Sequence, residues 1–265
     1  MNWILTCTGG RYHFGANSGG FNHVPINEIA HALSLINRFT GHTSRPYSVA
    51  EHSLLCAQVA RDMGLPARAQ LAALLHDAHE AYTGDLSSPA KWEIGQAWDQ
   101  FEDVEKLTVR NTLRVRDHFS EFRDEIRHID LLALATERRD LTSFMPGLSH
   151  IWPVLDTPGK EVLPLAISLN DPKREALTWR DWEDGFLREY WRLTNEPNLP
   201  SDTRTDTEML DFMERHRVLV TPEYEGPWEA RIYGDNEKPS TTGVGKTPRS
   251  AIADAIAQQV GKAGA

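Results

Sequence analysis

Residues 74–91 have the sequence "LLHDAHEAYTGDLSSPAK", in which an apolar run passes directly into a dense group of ionisable side chains. His76 and Asp77 are adjacent, and Glu80 lies four residues after His76, so that on a continuous helix His76 and Glu80 share one face. Burying such groups without partners is unfavourable by several kcal/mol per ion. Because a divalent cation offsets this cost, the stretch predicts one part of a metal site inside a helical protein.

Two ligands are too few for a protein metal site, which normally takes three or four. The others are expected on neighbouring helices, as His or Asp within an otherwise apolar stripe. His52, early in the preceding helix, and Asp130, in "RHIDLLAL", meet this condition. Spacing alone leaves His31, His79 and His128 as rival donors.

Apolar residues recur at helical spacing between 25 and 195, which predicts a multi-helix bundle. The segment "INEIAHALSLINRF" predicts a helix that ends near Arg38. Ser48 and Glu51 have the spacing of a capping box at the start of the next helix. Pro66 suits the first position of a third helix, which is predicted to continue through the His-Asp pair to Gly84.

Two later helices are predicted in the same region. One extends from Asp124 to about Phe144 and contains Asp130. The other begins at Asp171 and Pro172, which suit the N-cap and the first helical position. The apolar face of this last helix is predicted to bury four aromatic side chains, those of Trp179, Trp182, Phe186 and Tyr190.

The composition changes after "LTNEPNLPSDTRTDTE", which is typical of a linker. Beyond it, "MLDFMERHR" predicts a short helix, "RVLVTPEY" and "PWEARIYGD" two strands, and "TPRSAIADAIAQQVG" a closing helix. "GVGKT" at 243–247 lacks the upstream glycine of a phosphate-binding loop, because Ser240 is at that position, and a turn is expected instead. The predicted domains are 1–197, mainly α, and 204–265, a small α+β module.

The overall composition is that of a globular protein. The chain has 265 residues, of which 40% are hydrophobic and 25% charged, and a net charge of -10. This charge disfavours polymeric nucleic acid and anionic membranes as partners, and an anionic substrate then needs a local basic pocket. The N-terminus lacks the pattern of a signal peptide, so a cytoplasmic location and free thiols at Cys7 and Cys56 are expected.

The order H…HD…D resembles the signature of the HD-domain metal-dependent phosphohydrolases. "YSVAEHS" followed by "LLHDAHEAYTGDLSSPAK" is similar to one branch of them, which contains bacterial 5'-deoxynucleotidases and phage deoxynucleotide triphosphohydrolases. The resemblance covers roughly residues 20 to 195 and implies an HD-domain helical bundle. It also implies that four residues bind the metal, namely His52, His76, Asp77 and Asp130.

The resemblance implies roles for residues around these ligands as well. Glu80 and Asp85 would act as acid, base or water-orienting groups. Arg38 matches an arginine that contacts phosphate, and Lys91 matches a closing lysine for which a phosphate contact is expected. Phe39 stands where the family has tryptophan, which leaves the discrimination between deoxyribose and ribose open. Ser87 replaces the family's proline after "GDL".

Two histidines and two aspartates suit one divalent transition-metal ion, with Zn, Mn, Co and Fe as alternatives. Mg²⁺ would accompany a triphosphate substrate. The function implied first is hydrolysis of deoxynucleoside monophosphates to deoxynucleoside and phosphate, and the alternative is release of triphosphate from deoxynucleoside triphosphates. A cyclic-nucleotide phosphodiesterase and a non-catalytic HD binding module are further alternatives. Related nucleotidases assemble with sites near subunit interfaces, so a homo-oligomer is expected.

Overall fold

The computed structural model describes residues 2–15, 22–194, 218–222, 228–233, 239–245, 248, 251–252, 254–256 and 258. Contacts between residues divide the chain into two units, Met1–Asn195 and Glu196–Ala265. The first unit is mostly helical, and the second contains three strands and helical residues, which confirms a mainly α fold with a small α+β C-terminal part. The predicted boundary between 197 and 204 and the predicted helix "MLDFMERHR" lie outside the described residues and stay predictions.

The N-terminal unit begins with a β-hairpin and continues as helices. Its strands are β1 (Trp3–Leu5) and β2 (Arg11–His13), which pair antiparallel. Its helical elements are α1 (Ile26–Leu35), a 3₁₀ turn (Arg38–Gly41), α2 (Val49–Asp62), α3 (Ala67–Leu74), α4 (Glu80–Thr83), α5 (Ser88–Ile94), α6 (Gln96–Thr112), α7 (Arg116–Glu121), α8 (Arg123–Leu141), α9 (Pro153–Asp156), α10 (Pro172–Glu175) and α11 (Trp179–Thr194).

Helix α2 lies at the centre of this unit. It packs against α1, α3, α8 and α11. Its residues enter two apolar clusters: Ala50 and Ala57 pack with Leu33 and Phe186, whereas Leu55 packs with other residues that include Tyr47, Ile129 and Leu141. The side chains of α2 therefore point into the interior on two sides, and His52 is fully buried between them.

The start of α2 is fixed by both members of the predicted capping box, but in different ways. The Ser48 hydroxyl accepts a hydrogen bond from the Glu51 backbone N–H at 3.1 Å, as predicted. The Glu51 carboxylate does not return to Ser48. It is fully buried and accepts two bonds from Arg45, both of 2.8 Å, and one from Arg174 Nε of 3.0 Å. Glu51 thus ties α2 to the preceding loop and to α10.

The predicted single helix from Pro66 to Gly84 is wrong. Helix α3 ends at Leu74, five residues form turns, and α4 begins at Glu80. In these turns the N–H groups of Ala78 and Glu80 donate to the carbonyl three residues back, at 3.1 and 2.9 Å. His76 and Glu80 therefore do not share the face of a regular helix, and the His-Asp pair lies in the turns.

A side chain replaces a helical hydrogen bond at this break. In a continuing helix the Ala73 carbonyl would accept from the Asp77 N–H. Instead it accepts a bond of 2.8 Å from His76 Nδ1. The break therefore fixes the orientation of the His76 ring.

Other boundaries differ in detail. Helix α1 ends at Leu35 instead of near Arg38, because Asn37 pairs with Ser48 in an isolated β-bridge and Phe39 adopts a left-handed φ of 55°. The helix predicted from Asp171 is interrupted after Glu175 and resumes at Trp179. Of its four predicted aromatic core residues, Phe186 alone is buried. The helix predicted from Asp124 to about Phe144 is confirmed as α8.

The C-terminal unit contains an antiparallel sheet in the order β3 (Val218–Pro222), β4 (Trp228–Tyr233) and β5 (Pro239–Gly245). The first two strands were predicted and the third was not. Gly243 to Gly245, predicted to form a turn, belong to β5. A Cβ on Gly243 would clash with the Ala255 nitrogen, so a helical residue packs directly on the strand there. In the part of the chain that is described, no helix combines the length and apolar character needed to cross a membrane.

We expect Glu51→Ala to lower the free energy of unfolding by about 3–5 kcal/mol, because it leaves the nearly buried Arg45 and the half-buried Arg174 without their carboxylate partner. Urea denaturation followed by circular dichroism measures this change. The control is Glu121→Ala, which removes an exposed pair with Arg68 of 3.1 Å and should cost less than about 1 kcal/mol. Equal losses in the two variants would contradict a structural role for the Glu51 cluster.

Candidate metal centre

Four side chains from three parts of the fold bring donor atoms together. His52 comes from α2, His76 and Asp77 from the turns after α3, and Asp130 from α8. The Nε2 atoms of the two histidines are 3.1 Å apart. Asp77 Oδ2 lies 3.1 Å from His76 Nε2 and 3.6 Å from His52 Nε2. Asp130 Oδ1 lies 3.3 Å from His52 Nε2 and 3.8 Å from His76 Nε2.

The other ring nitrogen of each histidine already has an acceptor. His52 Nδ1 donates to Glu137 Oε1 at 2.5 Å, and His76 Nδ1 donates to the Ala73 carbonyl at 2.8 Å. These bonds place the ring proton on Nδ1 in the neutral tautomer, so both Nε2 lone pairs point toward each other and toward the carboxylates. Four acceptors then face one another. The Arg38 guanidinium lies 3.3 Å from one of them, Asp77 Oδ2, and the Cys56 thiol 3.6 Å from another, His52 Nε2.

This arrangement fits a divalent metal ion. Ligand atoms at about 2.0–2.2 Å from one Zn²⁺ have mutual separations close to those of the four donors here. Burial lowers the pKa of both histidines, but the surrounding anionic groups outweigh burial and raise both values. The anionic surroundings therefore favour positive charge at the two histidines, supplied either by protons or by a metal cation. Two imidazoles and two carboxylates are suitable ligands for a transition metal.

Glu137 orients the first of these ligands, and the sequence prediction missed it. It is fully buried on α8 and also accepts a hydrogen bond of 2.9 Å from the Tyr47 hydroxyl. Burial opposes the charge of Glu137, but Arg38 and His52 hold its pKa below the ordinary value. The signal available in the sequence was its spacing, since Glu137 follows Asp130 by two helical turns on the same face.

Arg38 lies against the donor set from the side of the 3₁₀ turn. Its guanidinium is 3.3 Å from Asp77 Oδ2 and 3.3 Å from Glu137 Oε2, and its side chain is 12% exposed. Burial disfavours the charge, but Glu137 and Asp77 outweigh burial and raise the pKa of Arg38. A permanent cation therefore lies directly beside the centre.

Glu80 and Asp85 differ from Asp77, Asp130 and Glu137 because their pKa values are raised and not lowered. Burial, together with the charges of Asp77 and Asp85, raises the pKa of Glu80 well above its ordinary value. Glu80 Oε2 is buried without a hydrogen-bond partner among the described residues. Burial also raises the pKa of Asp85, although Arg38 opposes this effect.

Lys91 has carboxylate partners of its own. Its Nζ donates to Glu102 Oε1 at 2.6 Å and lies 3.9 Å from Glu80 Oε1. Glu102 also receives Lys106 at 2.5 Å and lies 3.4 Å from His79 Nε2. The donor atoms of His79, Glu80 and Glu102 are close enough to hold a metal, but the two lysines already balance the charge of Glu102. His79 therefore belongs to this lysine cluster and not to the donor set around His52.

Two further side chains near the centre were not assigned by sequence. Cys56 Sγ lies 3.6 Å from His52 Nε2 and forms a compact group with both histidines, whereas Cys7 is exposed; both thiols are free. Trp152 lies beside Phe39, with ring centroids 6.3 Å apart. An indole is thus present near the position where the family's tryptophan is replaced by phenylalanine.

Comparison with known proteins agrees with this geometry. The family model described as 5'-deoxynucleotidase YfbR-like matches residues 27–129. Uncharacterized protein YfdR of Escherichia coli K12 is 37% identical over 172 residues, which are 63% of this chain and 88% of that protein. A 5'-deoxynucleotidase of Erwinia tasmaniensis is 30% identical over 137 residues, which are 45% of this chain and 69% of that protein. The chain belongs to the YfbR-like 5'-deoxynucleotidase family.

Family membership confirms the resemblance to the 5'-deoxynucleotidase branch and makes a nucleotide phosphohydrolase the coarse assignment. 5'-Deoxynucleotidase YfbR of E. coli is 34% identical over 115 residues, which are 37% of this chain and 58% of that protein. The range matched by the family model contains every predicted site residue except Asp130, which follows it directly. The roles of the individual residues stay predictions.

We expect Glu137→Gln to weaken metal binding by about 10–100-fold, because the amide no longer supplies a charged acceptor for His52 Nδ1. Titration of the metal-free protein with Co²⁺, followed by absorption spectroscopy, measures the affinity. Glu125→Gln removes a carboxylate from the first turn of the same helix and should leave the affinity unchanged. An unchanged Co²⁺ affinity in Glu137→Gln would show that Glu137 serves only the packing of Tyr47 and Arg38.

Proposed function

We propose that this chain hydrolyses the 5'-phosphate ester of deoxynucleoside monophosphates, giving deoxynucleoside and phosphate. The observation that carries the proposal is the position of Arg38, 3.3 Å from the metal donor Asp77 and sheltered from solvent. A metal donor set beside a fixed guanidinium is suited to bind a phosphate monoester. This tetrahedral group carries two negative charges, which the metal ion and the guanidinium can share. The names of the relatives support the same substrate class.

In this proposal His52, His76, Asp77 and Asp130 hold one divalent transition-metal ion. Such an ion lowers the pKa of water toward neutrality and polarises a phosphoryl oxygen. Zn, Mn, Co and Fe all suit two imidazoles and two carboxylates. The Cys56 thiol near His52 adds a soft donor that favours Zn or Co.

Arg38 binds the phosphate and stabilises the charge that develops on its oxygens during transfer. Its two carboxylate partners keep the guanidinium charged and hold it in place before the substrate arrives. Preorganisation of this kind means that little reorganisation is needed during the reaction. Lys91, which is bound to Glu102, contributes to the positive potential on the other side of Glu80.

Glu80 donates the proton to the departing 5' oxygen. Burial and the neighbouring carboxylates raise the pKa of Glu80, which favours the protonated form that a general acid needs, and its Oε2 is free of other partners within the described residues. A raised pKa makes the ionised carboxylate of Asp85 a stronger base than an ordinary aspartate, so Asp85 is assigned to orient the attacking water and take its proton. The different surroundings of the two carboxyls allow this division of roles.

Selection of the sugar is assigned to Phe39 together with Trp152. The ring of Phe39 is held in a left-handed turn directly after Arg38 and packs near Trp152. A flat apolar surface next to the phosphate site favours a sugar that lacks the 2' hydroxyl, because burial of an unpaired hydroxyl is unfavourable. A homo-oligomer stays a prediction, which analytical ultracentrifugation of the full chain tests.

The decisive experiment incubates the metal-loaded protein with panels of NMPs, dNMPs and dNTPs and identifies the products. We expect dNMPs to give equal amounts of deoxynucleoside and phosphate. His76→Ala should lose the bound ion and the activity, whereas His128→Ala, on the exposed face of α8, should retain both. Absence of turnover with every nucleotide would overturn the proposal in favour of a binding module.

We expect Glu80→Gln to lower kcat for dNMPs by about 100-fold or more, because the amide cannot protonate the leaving oxygen. The loss should be much smaller with p-nitrophenyl phosphate, whose leaving group needs no proton. Glu93→Gln, at an exposed position of α5, is the matched control. An equal loss on both substrates would assign Glu80 a structural role instead.

A further inference from the structure

The segment between α8 and α9 brings an indole to the edge of the candidate metal centre. Trp152 directly precedes α9, and its ring centroid lies 6.3 Å from that of Phe39. The Arg38 guanidinium lies over the other ring of this pair, 5.7 Å from the Phe39 centroid. Groups at these separations are in contact. Arg38, Phe39 and Trp152 therefore form a continuous series that begins beside the metal donors.

One arginine of α8 contacts the Trp152 ring. The guanidinium carbon of Arg138 lies 5.4 Å from the Trp152 centroid and 4.1 Å from the Phe144 centroid. The two rings are 6.4 Å apart and nearly perpendicular to each other. Because a guanidinium is planar and weakly hydrated, it stacks on aromatic faces better than an ammonium group does. Arg138 therefore limits the positions that are open to the Trp152 ring.

Asp156 holds both Arg138 and the backbone of Trp152. Its carboxylate accepts two bonds from the Arg138 guanidinium, at 2.5 and 2.8 Å. It also accepts a bond of 2.6 Å from the Trp152 backbone N–H. A bidentate arginine–carboxylate pair is strong and fixes the plane of the guanidinium. We call Arg138, Phe144 and Asp156 the indole clamp.

The clamp is distinct from the apolar anchor of this segment. Leu155 is fully buried and ties α9 to the protein, whereas Leu148 and Ile151 are 80% and 67% exposed. In a segment with such exposed apolar side chains, three groups nevertheless fix the ring of Trp152, which is only half-buried. A fixed aromatic ring that is open on one side is suited to contact a ligand.

The clamp and the centre share one helix. Glu137, which holds Arg38 at 3.3 Å and His52 at 2.5 Å, directly precedes Arg138 in α8. Successive side chains of a helix point about 100° apart. Glu137 thus fixes the arginine beside the metal donors, and Arg138 fixes the indole next to Phe39.

We propose that Arg138, held by Asp156, is a positioning residue that keeps Trp152 against the sugar of the substrate and thereby sets the preference for deoxyribose over ribose. The inference rests on the proposed function, which places the sugar beside Phe39 and Trp152. A 2' hydroxyl buried against a fixed indole loses its hydrogen bonds to water, which is unfavourable. An indole that can move aside leaves water at this hydroxyl and removes the penalty.

The test compares kcat and KM for a dNMP and an NMP with the same base. We expect the wild type to prefer the dNMP by about 10–100-fold in kcat/KM, the range in which an apolar surface rejects an added hydroxyl. In Arg138→Lys this preference should fall by about tenfold, because lysine keeps the charge but neither stacks nor pairs bidentately. Asp156→Asn should act in the same direction. The change should arise in KM, since the metal donors and Glu80 are untouched.

The matched control is Arg68→Lys. Arg68 likewise pairs with a carboxylate, that of Glu121 at 3.1 Å, and lies 6.0 Å from a phenyl ring, that of Phe122. This variant should keep the wild-type preference. A second comparison introduces Arg138→Lys into Trp152→Leu, where it should cause no further change in preference if Arg138 acts through the indole.

The inference is overturned if the wild type shows no preference, or if Arg138→Lys keeps the wild-type preference or lowers the activity on both substrates equally. A further change on adding Arg138→Lys to Trp152→Leu would overturn it as well. Absence of turnover with every nucleotide would instead contradict the proposed hydrolysis. The ratio of the two dissociation constants, measured by calorimetry without turnover, would then test the clamp with the same variants.

Discussion

Mutual repulsion among four acceptor atoms is the constraint on which the N-terminal unit depends. Packing of α2, α3 and α8 brings the two imidazole Nε2 atoms to 3.1 Å from each other and places an oxygen of Asp77 and one of Asp130 within 3.1 to 3.8 Å of both. The helices cannot close around such a group unless positive charge is present. Arg38 supplies part of it, and a metal ion can supply the rest. Closure of the bundle and occupation of the centre by a cation would therefore be linked, and metal binding would add to the stability of the folded state.

The sequence predicted the parts of the structure that are decided locally or by strong periodicity. The Ser48 cap, the extent of α8 and the strands β3 and β4 follow from short patterns. The four proposed metal ligands followed from the resemblance, and the structure places them together. Glu137 and Arg138 were missed, because their roles depend on neighbours that are distant in the chain. The spacing of Glu137 from Asp130 places it on the same helix face, but its hydrogen bond with His52 joins residues 85 positions apart, which no local pattern shows.

The break after Leu74 shows the limit of local reasoning most clearly. Residues 66–84 contain good helix formers and no internal glycine or proline, so propensity favours one continuous helix. The chain instead turns at the His-Asp pair, and the His76 ring takes the carbonyl that the next backbone N–H would have used. The regular helix would have separated Asp77 from the other donors by its rotation of about 100° per residue. Contacts of the His-Asp pair thus prevail over helix propensity at this point of the chain.

One face of α8 carries the proposed metal ligand Asp130 and the carboxylate of Glu137 that orients His52. It also carries Arg123 and Arg127, which line a cleft together with His76, Asp77 and Asp130. These residues lie on the same face of α8 because they are three, four and seven residues apart. Insertion or deletion of one residue in the middle of α8 would rotate half of this set by about 100° away from the rest. The helix can accept many substitutions at its exposed positions. The number of residues between Arg123 and Glu137, however, cannot change without separating the side chains that form the site.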